Sequence, residues 1–84
     1  MGNLSSMRNI GNEMERKLKS VDISSPEELA TIGSKAAFIR LKARYPEVCL
    51  VHLYTLQAAI EGIDMQHLPE ETKRDLKAYS DSLK

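Results

Sequence analysis

A short motif that occurs twice contains the residues best suited to chemistry, because it could present backbone N–H groups to a phosphate. The first copy is Met-Arg-Asn-Ile-Gly at residues 7–11, and the second is Leu-Ala-Thr-Ile-Gly at residues 29–33. A glycine at the end of each copy allows one helix to stop and another to begin at a sharp angle. The N–H groups at the start of the new helix either bind an anion or only form a corner. Both uses are open for this motif.

The two copies differ at the residue that precedes the isoleucine. Each resembles the hairpin of helix-hairpin-helix modules, in which two glycines flank an apolar residue and N–H groups contact a DNA phosphate without reading the base sequence. The first of those glycines is replaced by Asn9 in one copy and by Thr31 in the other. Asparagine tolerates the left-handed conformation, whereas β-branched threonine does so poorly. We therefore expect the first copy to be the better phosphate-binding candidate and the second to be a structural corner.

Basic residues near the first copy extend this candidate surface. The segment 34–45 contains lysines and arginines but no acidic residue. The candidate DNA contacts are Arg8, Asn9, Gly11, Asn12, Arg16, Lys17, Lys35, Arg40 and Arg44. The alternative is a solvated helix face whose cations suit the negative end of the helix dipole. The formal net charge of zero, from 12 basic and 12 acidic residues, argues against a broad electrostatic grip on DNA but leaves room for a local patch.

Two other pairs have the spacing of metal ligands, Cys49 with His52 and Asp64 with His67. Residues three apart on a helix share a face, and tetrahedral zinc accepts these ligand types. Nothing in the sequence forces the two pairs together, so we expect no metal and no other cofactor. Cys49 is then expected to be a small core residue, and the histidines to lie at the surface.

The sequence offers little support for an enzyme or a membrane protein. It has no glycine-rich phosphate loop and no Ser–His–Asp pattern, and 84 residues give little bulk for a deep cleft. We expect no catalysis and no small-molecule substrate. The single cysteine suits a reducing compartment. Neither a signal pattern nor an apolar run of about 18–20 residues is present, so we expect a cytoplasmic protein with no membrane partner.

Helical periodicity dominates the chain and predicts the elements that position these residues. Asn12, with Glu15 three residues later, predicts a capped helix, and Ser25 followed by Pro26 predicts another. Ser34 is the expected cap of a third helix. After a turn at residues 4–8, the predicted helices span residues 12–21, 26–32, 34–45, 47–61 and 68–83, with Gly62 ending the fourth in a Schellman-type motif.

The apolar residues predict which helix is central. Three helices have one apolar stripe each: Met14, Leu18 and Val21; Ala37, Phe38, Leu41 and Tyr45; and Thr72, Leu76, Tyr79 and Leu83. The segment 48–56 is apolar on nearly every side, as in the central helix of a bundle, although a strand is the competing interpretation for residues 48–54. Val48, Val51 and Tyr54 could also exceed what the other helices cover, in which case a protein partner or a second copy buries them.

Separate landmarks along residues 7–78 make the sequence resemble the C-terminal domain of the TfoX/Sxy family. They are Arg8-Asn9-Ile10-Gly11, Leu18, Val21-Asp22-Ile23, Pro26-Glu27-Glu28-Leu29, Ile32-Gly33, the basic segment 40–44, the segment 53–62, and Leu68-Pro69-Glu70-Glu71 before Lys73 and Leu76. The resemblance implies an all-helical fold related to helix-hairpin-helix and SAM-like domains, and a bacterial source. It also implies a connection with competence for DNA uptake, in which full-length relatives act as transcriptional coactivators.

The sequence departs from the family in two ways. Asp22 stands where the family often has glycine, so we expect a strained or rebuilt turn there. Nothing before residue 7 resembles the family's N-terminal domain, so a stand-alone form is expected. The sequence thus predicts one compact, all-α, five-helix domain over residues 1–84. Its expected function is non-enzymatic recognition of a protein, and the alternative is sequence-independent DNA binding of the hairpin type.

Overall fold

The helices follow the predicted pattern along the part of the chain that the structure describes, which is Leu4, Met7 and residues 9–83 of a computed structural model. The elements are α1 (Asn12–Ser20), α2 (Pro26–Ile32), α3 (Ser34–Arg44), α4 (Leu50–Glu61), a short 3-10 turn (Met65–His67) and α5 (Glu70–Ser82). These described residues contain no strand. The all-α prediction is confirmed, and the strand interpretation of residues 48–54 is wrong because α4 occupies most of that segment.

The central position of α4 is also confirmed. This helix packs against α2, α3, α5 and the 3-10 turn. Its buried residues are Leu53, Leu56, Ala58 and Ala59. Because neighbours cover α4 on several sides, it needs apolar residues around most of its circumference. No helix within the described residues is long and apolar enough to cross a bilayer.

The remaining core residues come from the predicted stripes and from the N-terminal segment. Leu18 of α1, Phe38 of α3 and Leu76 of α5 are buried in one cluster. The cluster also contains Leu4, which is fully buried. The stripe of α5 is wrong at its end, because Leu83 follows the last helical residue and is 39% exposed. Residues 5, 6 and 8 of the predicted N-terminal turn lie outside the described part of the chain.

Glycines, rather than the polar residues that follow them, begin α1 and α3. The N-cap of α1 is Gly11 and that of α3 is Gly33, and neither cap forms a side-chain hydrogen bond. The predictions of Asn12 and Ser34 as caps are therefore wrong by one residue, since the glycine already occupies the non-helical position. The Ser34 hydroxyl instead donates to Gln57 Oε1 of α4 at 2.6 Å. The Asn12–Glu15 capping box is accordingly absent.

The start of α2 agrees with its prediction in detail. The Ser25 hydroxyl accepts a hydrogen bond from the Glu28 backbone N–H at 3.1 Å, and Pro26 is the first helical residue. The Glu28 carboxylate in turn accepts from the Ser24 hydroxyl at 2.6 Å and from the Ser24 N–H at 3.0 Å. These hydrogen bonds to Ser24 lower the pKa of Glu28. The result is a firmly fixed turn before α2.

The fourth helix begins three residues later than predicted, at Leu50 instead of residue 47. The Val48 N–H donates to the Tyr45 carbonyl at 3.0 Å, and the Val48 carbonyl accepts from Lys42 Nζ at 3.1 Å, so this segment forms a turn. That turn carries Val48 into the core, where it is fully buried. Cys49 then becomes the N-cap and is exposed, which contradicts its expected place in the core.

Schellman motifs end both α1 and α4. Gly62 has a φ of 72° and follows α4, and Ile63 N–H donates to the Ala58 carbonyl at 3.1 Å, which confirms the prediction. At the end of α1 the equivalent left-handed position is Asp22, with a φ of 67°. The Ile23 N–H donates to the Leu18 carbonyl at 3.0 Å. Asp22 thus adopts the left-handed conformation that glycine usually occupies, and the turn keeps its hydrogen bonds.

Candidate functional site

The first copy of the repeated motif is held by the side chain of Asn9. This residue has a left-handed backbone with a φ of 74°, which confirms the conformation expected of it. Its Nδ2 donates to the Ile63 carbonyl at 2.8 Å, and its Oδ1 accepts from the Met65 N–H at 3.4 Å. Both ends of the amide therefore join the N-terminal segment to the connection between α4 and α5. This role could not be predicted from the sequence, because the partners lie more than fifty residues away.

Replacing Asn9 with alanine should lower the free energy of unfolding by about 1–2 kcal/mol, because two exposed hydrogen bonds are lost and the left-handed strain remains. Asn9→Gly removes the same hydrogen bonds but relieves the left-handed backbone strain. Its loss of unfolding free energy should therefore be smaller than that of Asn9→Ala. Urea denaturation followed by circular dichroism measures both. Wild-type stability in Asn9→Ala would show that these hydrogen bonds contribute nothing.

The two glycines of the repeated motif have different backbones. Gly11 is extended, with a φ of −97° and a ψ of −179°, which any residue adopts. Gly33 has a φ of 91° and a ψ of 156°, and it alone separates α2 from α3. That combination of angles is essentially restricted to glycine. Thr31 is helical within α2, so the second corner depends on Gly33 alone.

Three of the candidate cations surround one tyrosine at the junction of α1 and α3. Lys17 Nζ lies 5.3 Å from the centre of the Tyr45 ring, and the Arg44 guanidinium lies 5.9 Å from it. Hydrogen bonds with Ser20 and then with Arg44 lower the pKa of the Tyr45 hydroxyl, and the charge of Arg16 lowers it further. We name Arg16, Lys17, Arg44 and Tyr45 the Tyr45 cluster. Its three basic side chains are of the type that an anion-binding surface requires.

Acidic neighbours reduce the charge that the Tyr45 cluster offers. Lys17 Nζ lies 3.8 Å from carboxylate oxygens of both Glu13 and Glu47. Asn12 and Arg16 line a shallow depression of about 290 Å³ together with the same Glu13. A phosphate at this surface would therefore meet carboxylates as well as cations.

The other candidate DNA contacts lie elsewhere or have partners within the fold. Lys35 pairs with Asp75 of α5 at 2.9 Å. Arg40 Nη1 donates to the Val21 carbonyl at 3.3 Å. Arg8 lies outside the described residues. Arg40 and Arg44 are one helical turn apart, whereas Lys35 lies at the opposite end of α3 and pairs with α5, so the charge run in the sequence spans two surfaces of the structure.

The two metal-ligand pairs remain apart. Cys49 Sγ lies 3.6 Å from His52 Nδ1 at the start of α4, and His67 Nδ1 lies 3.9 Å from an Asp64 carboxylate oxygen in the connection before α5. Within the described part of the chain, no three side chains of the histidine, cysteine, aspartate and glutamate types come together as metal ligands. The His52 Nδ1 also accepts a hydrogen bond from the Cys49 N–H at 3.1 Å, which fixes the imidazole against the helix start.

A groove of about 610 Å³ lies beside the corner between α2 and α3. Its polar side chains bind one another: Ser34 donates to Gln57, and Gln57 Nε2 donates to Glu61 at 2.6 Å. The ion pair of Lys35 with Asp75 crosses from α3 to α5 at the same place. These contacts tie α3, α4 and α5 together, so the groove serves the packing of the fold.

A second surface combines apolar and basic residues at α4 and α5. Val51 is 54% exposed, and Leu50 and Tyr54 beside it are half-buried. Tyr54 also lines a shallow groove of about 270 Å³ with Glu70, Lys73, Arg74 and Lys77 of α5. Sequence reasoning singled out Val51 and Tyr54 but missed the basic residues, although their spacing of three and four residues places them on one helix face.

Comparisons with known proteins agree with the fold and the landmarks. The model of the TfoX C-terminal domain matches residues 1–79. Two crystal structures of uncharacterized proteins from Listeria monocytogenes are each 40% identical to this chain. The triclinic form has a TM-score of 0.96 and an alignment that covers 98% of this chain and 93% of the other. The tetragonal form has a TM-score of 0.95, with 98% and 100% covered. None of the curated proteins compared with the chain matches it.

The family match covers nearly the whole chain and includes every landmark named in the sequence. The resemblance first inferred from those landmarks is therefore confirmed, and the chain belongs to the TfoX C-terminal domain family.

Proposed function

We propose that this chain is a non-enzymatic recognition module that binds another protein through the exposed start of α4. A regulatory role connected with transcription or competence, in the bacterial cytoplasm, is the setting that the family resemblance suggests. The single observation that carries the proposal is the 54% exposure of Val51 on the helix that forms the centre of the fold. Binding through a rigid central helix would hold the contact residues in place without a cost of ordering a loop.

The neighbours of Val51 support this proposal. One exposed aliphatic residue is ordinary on a protein surface, but contiguous apolar residues mark interaction sites. Leu50 and Tyr54 lie within one helical turn of Val51 and are both half-buried. We name Leu50, Val51 and Tyr54 the α4 surface patch. Val48, which the sequence also suggested for a partner contact, does not belong to it because it is fully buried.

Val51→Asp should weaken partner binding by about tenfold or more, because it places a charge in the α4 surface patch. Ile39→Asp is the matched control, since Ile39 is a 44% exposed aliphatic residue on α3. A photocrosslinking residue at position 51, and in parallel at position 39, identifies the partner in cells. The identified protein is then titrated by calorimetry into the purified wild-type chain and both variants. Equal affinities for the two variants would contradict the proposal.

A second copy of the chain is one form that the partner could take. Multi-angle light scattering at tens of micromolar would then show a dimer for the wild-type chain and a monomer for Val51→Asp. A strict monomer in both cases removes the homodimer form of the proposal and leaves a different protein as the partner.

The Tyr45 cluster supports a second candidate function, the binding of a DNA backbone. The Arg44 guanidinium and the Lys17 ammonium both lie close to the centre of the Tyr45 ring, at 5.9 Å and 5.3 Å. Guanidinium groups are well suited to phosphate. Fluorescence anisotropy with duplex DNA at low salt tests this function. An absence of binding at high micromolar protein would exclude it, and binding that survives Arg16→Glu with Arg44→Glu would place the DNA elsewhere.

A further inference from the structure

We infer that the partner binds with an acidic segment that carries an apolar side chain, and that this segment lies in the groove between α4 and α5. This inference rests on the proposed function, because it assigns the chemistry of the partner at the α4 surface patch. The groove continues from that patch through Tyr54, whose side chain belongs to both. We name Tyr54, Glu70, Lys73, Arg74 and Lys77 the basic groove.

The shape of the basic groove comes from two helices that pack closely. The Tyr54 hydroxyl donates to the Lys73 carbonyl at 3.4 Å, which holds the aromatic ring of α4 against the backbone of α5. Glu70, Lys73, Arg74 and Lys77 recur at the three- and four-residue spacing of one helix face. The floor of the groove is therefore aromatic, and one wall is a row of charged side chains.

The charge of the basic groove favours an acidic ligand. Three of its residues are basic and one is acidic, on a chain whose formal net charge is zero. Lys77 pairs with Asp81 at 3.4 Å, whereas neither Lys73 nor Arg74 forms a salt bridge with any of the described residues. Complementary charge fixes the register of a partner and excludes partners of like charge. An acidic segment would thus pair its carboxylates with Lys73 and Arg74, although the groove also contains the carboxylate of Glu70.

The apolar side of the same surface favours a peptide over a nucleic acid. Val51 is one helical turn from Tyr54 and is 54% exposed, so it offers an aliphatic contact where a phosphate backbone would gain none. Lys73 and Arg74 lie in the groove next to this apolar contact and suit the carboxylates of a peptide. An acidic peptide with one leucine or phenylalanine satisfies both features, with the apolar side chain on Val51 and Tyr54 and the carboxylates on Lys73 and Arg74.

The test is display of a random peptide library on the immobilised wild-type chain. The enriched peptides should be rich in aspartate and glutamate beside one large apolar residue. The best of them, as a synthetic labelled peptide, should lose about tenfold or more in affinity for the double variant Lys73→Glu with Arg74→Glu. Lys73 is half-buried and Arg74 is exposed, and neither belongs to the core cluster, so the variant should fold.

The double variant Arg16→Glu with Arg44→Glu is the matched control, because it changes the net charge equally at the Tyr45 cluster and should leave peptide affinity within about twofold of wild type. Equal losses in the two double variants would overturn the inference. It would also be overturned by enrichment of basic or uncharged peptides, or by duplex DNA that competes for the groove. Peptides that require Val51 but carry no acidic residues would leave the proposed function intact, whereas peptides indifferent to Val51→Asp would contradict both.

Discussion

Replacing Gly33 with alanine is expected to lower the free energy of unfolding by about 3 kcal/mol, the upper part of the range for forced backbone strain. Gly33 has a φ of 91° and a ψ of 156° and connects α2 directly to α3. An added Cβ at Gly33 meets nothing within 4 Å, so the expected loss comes from the backbone and not from a clash. Urea denaturation followed by far-ultraviolet circular dichroism measures the change.

Gly11→Ala provides the control for this prediction. Gly11 is also an N-cap without a side-chain hydrogen bond, and an added Cβ there is equally free of contacts. Its extended backbone suits alanine, and the lower entropy of the unfolded chain offsets the weaker cap, so the net change should be about 0.5 kcal/mol or less. Equal losses of stability in the two variants would contradict the prediction, because they would show that alanine at position 33 adds no backbone strain.

Phe38→Ala is expected to lower the free energy of unfolding by about 3–5 kcal/mol, because it removes a fully buried aromatic ring and leaves a cavity. Phe38 belongs to the main core cluster, together with residues from all five helices and the N-terminal segment. A chain of this size has a total stability of about 4–13 kcal/mol, so this loss is a large part of the total. Thermal and urea denaturation measure the change.

The neighbouring Ile39 is the matched control on the same helix. Its side chain is 44% exposed, so Ile39→Ala should cost about 1 kcal/mol or less. If Phe38→Ala does not fold, Phe38→Leu can be compared with Ile39→Ala instead. Phe38→Leu should lower the free energy of unfolding by about 1 kcal/mol. An alanine at position 38 that costs no more than one at position 39 would contradict the buried position of the ring.

The helices and the core could be predicted because they depend on local periodicity. Leu18, Phe38 and Leu76 lie on the stripes that the sequence showed, and the apolar segment of α4 is central because neighbouring helices cover it. Helix starts were harder to predict, since two adjacent residues compete for each cap. Gly11 and Gly33 took positions expected for the polar residues after them, so α1 and α3 begin one residue beyond their glycines.

The start of α4 shows a tertiary interaction that local rules do not contain. The helix predicted to begin at residue 47 would follow directly on Pro46, but burial of Val48 and the hydrogen bond from Lys42 to its carbonyl stabilise a turn instead. This shift moves Cys49 from its expected core position to the exposed N-cap. A proline therefore predicts the start of a helix only where burial of a neighbouring side chain does not stabilise a different backbone conformation.

The candidate site was predictable in composition but not in arrangement. The sequence identified Arg16, Lys17 and Arg44, and the structure brings them to Tyr45, yet Lys35 pairs with Asp75 across α5. Such pairings join residues far apart in sequence, and a charge pattern along one helix does not contain them. The basic residues of α5 were missed for the same reason, since their significance comes from their contact with Tyr54.

The hydrogen bond from Asn9 to Ile63 has a consequence for the order of folding. It joins residues 54 positions apart, so it closes a loop that contains the first four helices. Closing that loop costs conformational entropy. The hydrogen bond and the burial of Leu4 offset this cost only after the loop has closed. We therefore expect the N-terminal segment to dock in the last stage of folding, and we expect its reopening to leave the amide protection of the later helices intact.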